Sequence, residues 1–159
     1  MTTALAWLAA PAEAEQVARL LVEFRDHYGR DWPSENAFLA GVERLMEDPG
    51  TEFLLGSPGA DASPAGVCAL RYRYGLWHAA DDCWLEDLYV QAGARGRGLG
   101  AALVDAAKER ARARGCRRIE LDVSDQNPGA WELYERLGFS AEYKPPGRNV
   151  LMGLKLEEE

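Results

Sequence analysis

At 159 residues the chain is long enough for one domain with a sizeable core, and an apolar share of 47% sets it apart from disordered sequences. Its net charge of −8 opposes nucleic acid as a partner, and no apolar run approaches the ~20 residues that cross a bilayer, so neither nucleic acid nor membrane is expected. Cys68, Cys83 and Cys116 form no CxxC pair and the N-terminus has no basic leader, so buried free thiols in a reducing cytoplasm are expected. In chain order, "TALAWLA" alternates and predicts a first strand. Pro11 opens a helix of about sixteen residues, with Val17, Leu20, Leu21 and Phe24 at helical spacing. "WPSENAFLAGVERLMEDPG" predicts a second helix, N-capped by Ser34 with Ala37 at the third helical position and stopped by Pro49-Gly50.

"TEFLLG" reads as a short strand, "SPGADASPAG" as a turn-rich connection and "VCALRYRYGLW" as a longer alternating strand. "HAADD" reads as a loop. On the next strand, "CWLEDLYV", strict alternation puts Trp84, Glu86, Leu88 and Val90 on one face and Leu85, Asp87 and Tyr89 on the other. A helix from Gly98 to Arg114 carries Leu99, Leu103, Val104 and Ala107 on its apolar side. "RRIELDVS" predicts a strand with Ile119, Leu121 and Val123 on one face. "NPGAWELYERLG" predicts a short helix with Asn127 as cap, Pro128 in its first position and Gly138 at its end. "FSAEY" and "NVLMGLKLE" are expected as final strands. Such an order predicts an α+β fold, one domain over residues 1–159 with a mixed sheet.

Charge is unevenly spread. Residues 95–118 hold eight basic and two acidic side chains, a local +6 that leaves −14 for the rest. A basic island in an acidic chain points to a small anionic ligand, although Arg110, Arg112 and Arg114 also suit a solvated helix face. The glycines before that helix are more telling. In "ARGRGLG", between a strand and a helix, glycines let the backbone approach a ligand and turn its N–H groups inward, and the helix start adds partial positive charge. The dinucleotide fingerprint GxGxxG is not matched, and no Gly-Lys-Ser/Thr follows for a P-loop. What remains is Arg95-x-x-Gly98-x-Gly100.

That pattern resembles the cofactor motif of the GCN5-related N-acetyltransferases (GNAT), Gln/Arg-x-x-Gly-x-Gly/Ala. A second stretch, "NPGAWELYERLGF", is similar to the family's Asn-x-x-Ala-x-x-Leu-Tyr-Glu-Lys-x-Gly-Phe through Asn127, Ala130, Leu133, Tyr134, Glu135, Gly138 and Phe139, with Arg136 at the lysine position. The resemblance implies a single-domain fold with a mixed, mostly antiparallel central sheet flanked by helices. It implies acetyl-CoA as cosubstrate and transfer of acetyl to a primary amine in a ternary complex. It assigns the pyrophosphate to the turn of Arg95, Gly96, Arg97, Gly98, Leu99, Gly100 and Ala101. It lines the pantetheine slot with Leu88, Tyr89 and Val90, and sets Asn127 and Tyr134 near the cofactor. Chemistry supports the tyrosine, because a phenol at the sulfur can give a proton to the departing thiolate. The alternative for Tyr134 is a packed aromatic; Asn127 can cap its helix in either case.

Carboxylates in a central strand are costly unless paired or functional. An alkyl ammonium with a pKa near 10 must lose a proton before it attacks, and a carboxylate can anchor it and take that proton. Glu86 is the candidate base, with Asp87 beside it at the substrate; the alternative pairs them with Arg71 or Arg73 on the neighbouring strand. "RYRYGLWHAADDCWLEDLYV" also resembles, over a shorter stretch, the spermidine/spermine (diamine) acetyltransferases, which together with the −14 remainder favours a polyamine or other cationic small molecule. A protein amine as acceptor, a non-catalytic acyl-CoA-binding regulator of the same fold, and a homodimer stay open. The acceptor pocket is expected from "FRDHYGRDWPSENAF" and "GLWHAADD". Two histidines and scattered acids give no zinc spacing, so no metal is expected.

Overall fold

A computed structural model describes residues 3–141 and 150–157. It forms two compact units, Met1–Val123 and Ser124–Glu159. The first holds strands β1 (Leu5–Leu8), β2 (Thr51–Ser57), β3 (Gly66–Gly75), β4 (Ala80–Val90) and β5 (Ile119–Glu120), with helices α1 (Ala14–His27), α2 (Glu35–Met46) and α3 (Leu99–Ala113). The sheet order is β1-β2-β3-β4-β5; the first three junctions are antiparallel and β4–β5 is parallel. The mixed, mostly antiparallel sheet is the one expected.

Local chemistry explains the helices. Pro11 begins a single 3-10 turn that runs into α1. The Ser34 hydroxyl accepts from the Ala37 N–H at 3.1 Å and caps α2. Val17, Leu20, Leu21 and Val42 from these helices bury themselves against Phe53, Leu55, Val67 and Ala69 on one face of the sheet. The opposite face receives α3 through Leu99 and Leu103. Two glycines make room there: a Cβ on Gly56 would lie 2.6 Å from a Leu99 methyl, and one on Gly66 would lie 3.0 Å from a Leu103 methyl. The sheet is thus covered on both faces, with fully buried Leu20, Leu54, Leu55, Leu70, Leu99 and Leu103 at its centre.

Several elements differ from the sequence expectation. β3 ends at Gly75, so Leu76 and Trp77 belong to the turn, while Ala80–Asp82 of the expected "HAADD" loop already belong to β4. A hairpin ladder from Arg73–Asp82 to Gly75–Ala80 recruits them. β5 is two residues long rather than the whole of "RRIELDVS", because it pairs with β4 only at Cys83–Ile119 and Trp84–Glu120.

The second unit contains α4 (Pro128–Arg136). The Asn127 side chain accepts from the Ala130 N–H at 3.2 Å, Pro128 opens the helix, and Gly138 takes φ +100 just beyond its end. Of the expected final strands, residues 142, 143 and 149 lie outside the described residues. Residues 139–141 and 150–157 form no strand. An alternating pattern becomes a strand only with a ladder partner, and Val150, Leu151, Met152, Leu154 and Leu156 are all exposed.

Candidate active site

β4 is not a regular strand where its acids lie. Glu86 pairs with Ala69 and Tyr89 with Val67, so Asp87 and Leu88 together oppose the single residue Cys68. This is a β-bulge, and Asp87 takes φ +53 within it. Aspartate is among the few side chains that visit this left-handed region without large strain. The bulge overturns the expected alternation. Glu86 and Tyr89 now share the face covered by α1, since their partners Ala69 and Val67 share it, while Val90, paired with Gly66, lies toward α3. The Tyr89 ring stacks on Phe24 of α1, with centroids 5.2 Å apart, and Phe24 in turn meets Tyr28 at 5.1 Å.

The other edge of β4 opens at the same place. Beyond Trp84 no β5 residue pairs with it, so no described strand pairs with residues 85–90 on that side. Upstream, β5 is pinned by Arg118, whose guanidinium donates to both Asp82 carboxylate oxygens at 3.0 Å and meets Glu120 at 3.2 Å. A strand pair fastened at one end and open at the other is the slot that an amide-bearing pantetheine chain can enter by strand-like pairing.

Glu86 is half-buried and meets Arg71 at 3.7 Å, so the pairing alternative holds for this residue as a loose contact. Arg73 is instead the register partner of Asp82. Partial burial pushes the Glu86 carboxyl above the ordinary range; Arg71 opposes this, and Asp87 and Asp122 add repulsion. The Asp87 carboxyl is also raised, by loss of surrounding water and then by Asp122. Asp122 was not singled out in the sequence; the signal was the second acid of "IELDV", two residues beyond the end of β5. Asp87 and Asp122 act on Glu86, and Asp122 on Asp87, so this acidic corner favours holding a proton or a cation.

From the end of β4 the chain passes through a 3-10 turn, Ala92–Ala94, into the glycines. Gly96 and Gly98 take φ +76 and +79, and a Cβ on either would meet nothing within 4 Å. Backbone conformation, not space, requires glycine here. Gly98 is the N-cap of α3 and has no side chain with which to cap it. The first-turn N–H groups, which no helix satisfies internally, are left facing outward beside exposed Arg95 and Arg97. These features fit a pyrophosphate.

The rest of the basic island is used differently. Arg110 binds Glu52, which also accepts from the Tyr72 hydroxyl at 2.7 Å. Arg112 meets Glu109 at 2.9 Å. Arg114 meets Asp81 at 3.3 Å and lies over the Tyr72 ring, 4.1 Å from its centroid. The helix-face reading therefore holds for these three arginines, which leaves the α3 start as the candidate anion site.

In the second unit, Tyr134 is buried and its ring meets Phe139 edge-on at 5.8 Å. The Phe139 N–H donates to the Tyr134 carbonyl at 2.9 Å, closing α4 through Gly138. The expected acceptor pocket divides. Phe24 stacks on Tyr89 and meets Tyr28, but residues 76–79 of "GLWHAADD" form the hairpin turn at the far end of β4, about 20 Å along the strand from Glu86. The three cysteines are free. Burial pushes the Cys68 thiol far up and the Cys83 thiol up to about 12, and Cys116 is raised too, so none is poised as a nucleophile. Among the described residues no three His, Cys, Asp or Glu side chains are grouped to hold a metal ion.

The chain is similar to several known acetyltransferases. A mycothiol acetyltransferase of Beutenbergia cavernae is 35% identical over 85% of this chain and 40% of its own length. A thialysine N-epsilon-acetyltransferase of Bos taurus is 35% identical over 54% of this chain and 51% of its own. The chain thus spans about half or less of the curated relatives it matches. The crystal structure of an acetyltransferase candidate from Arthrobacter sp. FB24 superposes with a TM-score of 0.81 at 27% identity, covering 94% of this chain and 96% of that one. The model of the acetyltransferase (GNAT) family matches residues 16–139, from α1 through the Tyr134 helix, and the chain belongs to that family.

Proposed function

We propose that this chain is an acetyl-CoA-dependent N-acetyltransferase acting on a primary amine, with a polyamine or another cationic small molecule as acceptor. The observation that carries this reading is the conjunction at the end of β4: a bulge just after Glu86, a backbone edge that no described strand pairs, and a glycine turn leading into α3, which no side chain caps. A family match across both units supports one N-acetyltransferase domain. The relatives named above act, by their names, on mycothiol and on the ε-amine of thialysine, which supports small amine-bearing acceptors.

Acetyl-CoA supplies an activated acyl group as a thioester. In our reading the N–H groups of residues 96–101 hold its pyrophosphate, and the free edge at residues 88–90 pairs with its pantetheine amides. Glu86 anchors the arriving ammonium and takes its proton, helped by a carboxyl already raised toward neutrality. As the amine nitrogen bonds to the acyl carbon and the C–S bond breaks, Tyr134 gives a proton to the sulfur, and the second proton shed by the acylated nitrogen restores the phenol through water. Direct transfer is favoured because burial keeps the Cys68 and Cys83 thiols protonated. Asp87 and Asp122 add negative potential for a cationic acceptor.

The test is free-thiol release from acetyl-CoA over a panel of primary monoamines, diamines, polyamines and a peptide with a free N-terminus. Release with cationic small amines is expected. Release only with the peptide would favour a protein amine as acceptor, and no release with any amine would leave a non-catalytic acyl-CoA binder.

A further inference from the structure

Two contacts at the end of β4 have no part in the chemistry above. The Gln91 side-chain amide donates to both carboxylate oxygens of Glu23 on α1, at 2.9 and 3.2 Å. One residue along α1, Phe24 stacks on Tyr89. The Gln91 backbone is fastened too: its N–H donates to the Ala65 carbonyl at 2.8 Å, and its carbonyl accepts from the Ala94 N–H at 2.9 Å. Arg95 then folds back, its Nε donating to the Val90 carbonyl at 3.0 Å. Gln91 is therefore the point at which the chain is held from α1, from β3's approach and from the turn itself, just before the glycines.

Charge and hydrogen bonding pull in opposite directions here. A carboxylate at position 23 lowers the local potential and by itself disfavours an anionic ligand at the turn. Its hydrogen bonds do the reverse, because a turn already held in shape loses less freedom when it binds. Both side chains are half-buried, where water competes less for the bond. We propose that Glu23 is a positioning residue for acetyl-CoA: through the Gln91 amide it fixes the exit of β4 and hence the direction of the N–H groups at residues 96–101. The proposal rests on the reading that this turn holds the pyrophosphate.

Calorimetric titration of the full chain with acetyl-CoA, alongside melting temperature, tests it. Glu23→Ala and Gln91→Ala should each weaken acetyl-CoA about five- to tenfold, within the range of one ordinary net hydrogen bond expressed as affinity. The double variant should lose no more than either alone, since both remove the same bond. Glu23→Gln should bind nearly as the wild type does, because its amide oxygen still accepts from Gln91. Tighter binding in both Glu23→Ala and Glu23→Gln would mean that only the charge matters and would overturn the proposal. So would a lowered melting temperature with unchanged affinity. If Glu23→Ala does not fold, Gln91→Ala against Glu23→Gln makes the same comparison. Gly98→Val separates the two levels. If it weakens acetyl-CoA while Glu23→Ala and Gln91→Ala do not, the positioning role falls alone; if it binds as the wild type does, the turn assignment falls and the proposal with it.

Discussion

The two ends of α3 are both rich in arginine, yet they are built for different work. At the start, Arg95 and Arg97 are exposed, Gly96 and Gly98 hold left-handed backbone, and no side chain caps the helix. At the other end, Arg110 and Arg114 are tied to Glu52, Asp81 and the Tyr72 ring. A basic count of eight over residues 95–118 does not separate these uses. What separates them is whether a partner within the chain already answers the charge. A cation with an acidic partner contributes to the fold; N–H groups with no side-chain cap, beside cations that meet no acid among the described residues, suit an anion.

Substitutions can break or sharpen that contrast. The largest effect is expected where the anion held at the α3 start would react. Tyr134→Phe should lower kcat by ~10²–10⁴-fold while changing acetyl-CoA affinity little, because the phenol matters as the thiolate forms. Equal turnover, with the chemical step shown to limit the rate, would return Tyr134 to its packing role against Phe139. Next comes Glu86→Gln. A base whose carboxyl is raised must lose its proton to act, so the wild-type rate should climb with pH through that raised value. Without the carboxylate the rate should fall by about 10²-fold at neutral pH, and its rise should move toward the pKa of the free amine, near 10. If the melting temperature drops and the pH–rate curve stays in place, the Arg71 contact is all that Glu86 provides.

At the structural end the expected effects are smaller and of another kind. Arg110→Ala strands Glu52 and should cost about 1–2 kcal/mol, or a melting temperature lower by roughly 3–6 °C, with acetyl-CoA affinity unchanged. Glu52 is pulled toward a raised value by burial but held below the ordinary range by Arg110 and Tyr72. The stabilisation it lends is therefore present above the ordinary glutamate value of about 4.3 and fades as pH falls below it, so wild type and variant should converge in acid. Arg112→Ala should change melting by less than about 1 kcal/mol, since its pair with Glu109 is exposed on both sides.

What could be read in the sequence was local. The Ser34 and Asn127 caps, the Pro11 entry and the glycine turn depend on neighbours within a few residues, and each appears where expected. The bulge at Asp87 was hidden because it is a relation between β4 and β3, and nothing in "CWLEDLYV" states which partner is skipped. β5 is short for the same reason: its apolar alternation continues to Val123, but the pairing does not. The arginine partners were equally remote, since Glu52 lies 58 positions from Arg110. Of the candidate site, the turn and Glu86 could be picked out in the sequence; Asp122, Gln91 and Glu23 could not, because each meets its neighbours from far away in the chain.

Calorimetric titration with acetyl-CoA of the wild type, Gly98→Val and Arg110→Ala side by side tests the contrast most directly. Valine at φ +79 forces the turn out of its left-handed conformation at a cost of about 1–2 kcal/mol, so affinity should fall about tenfold or more, while Arg110→Ala should bind as the wild type does. Undiminished affinity in a folded Gly98→Val, with a clear loss in Arg110→Ala, would contradict the assignment and move the anion site to the arginine end of the helix.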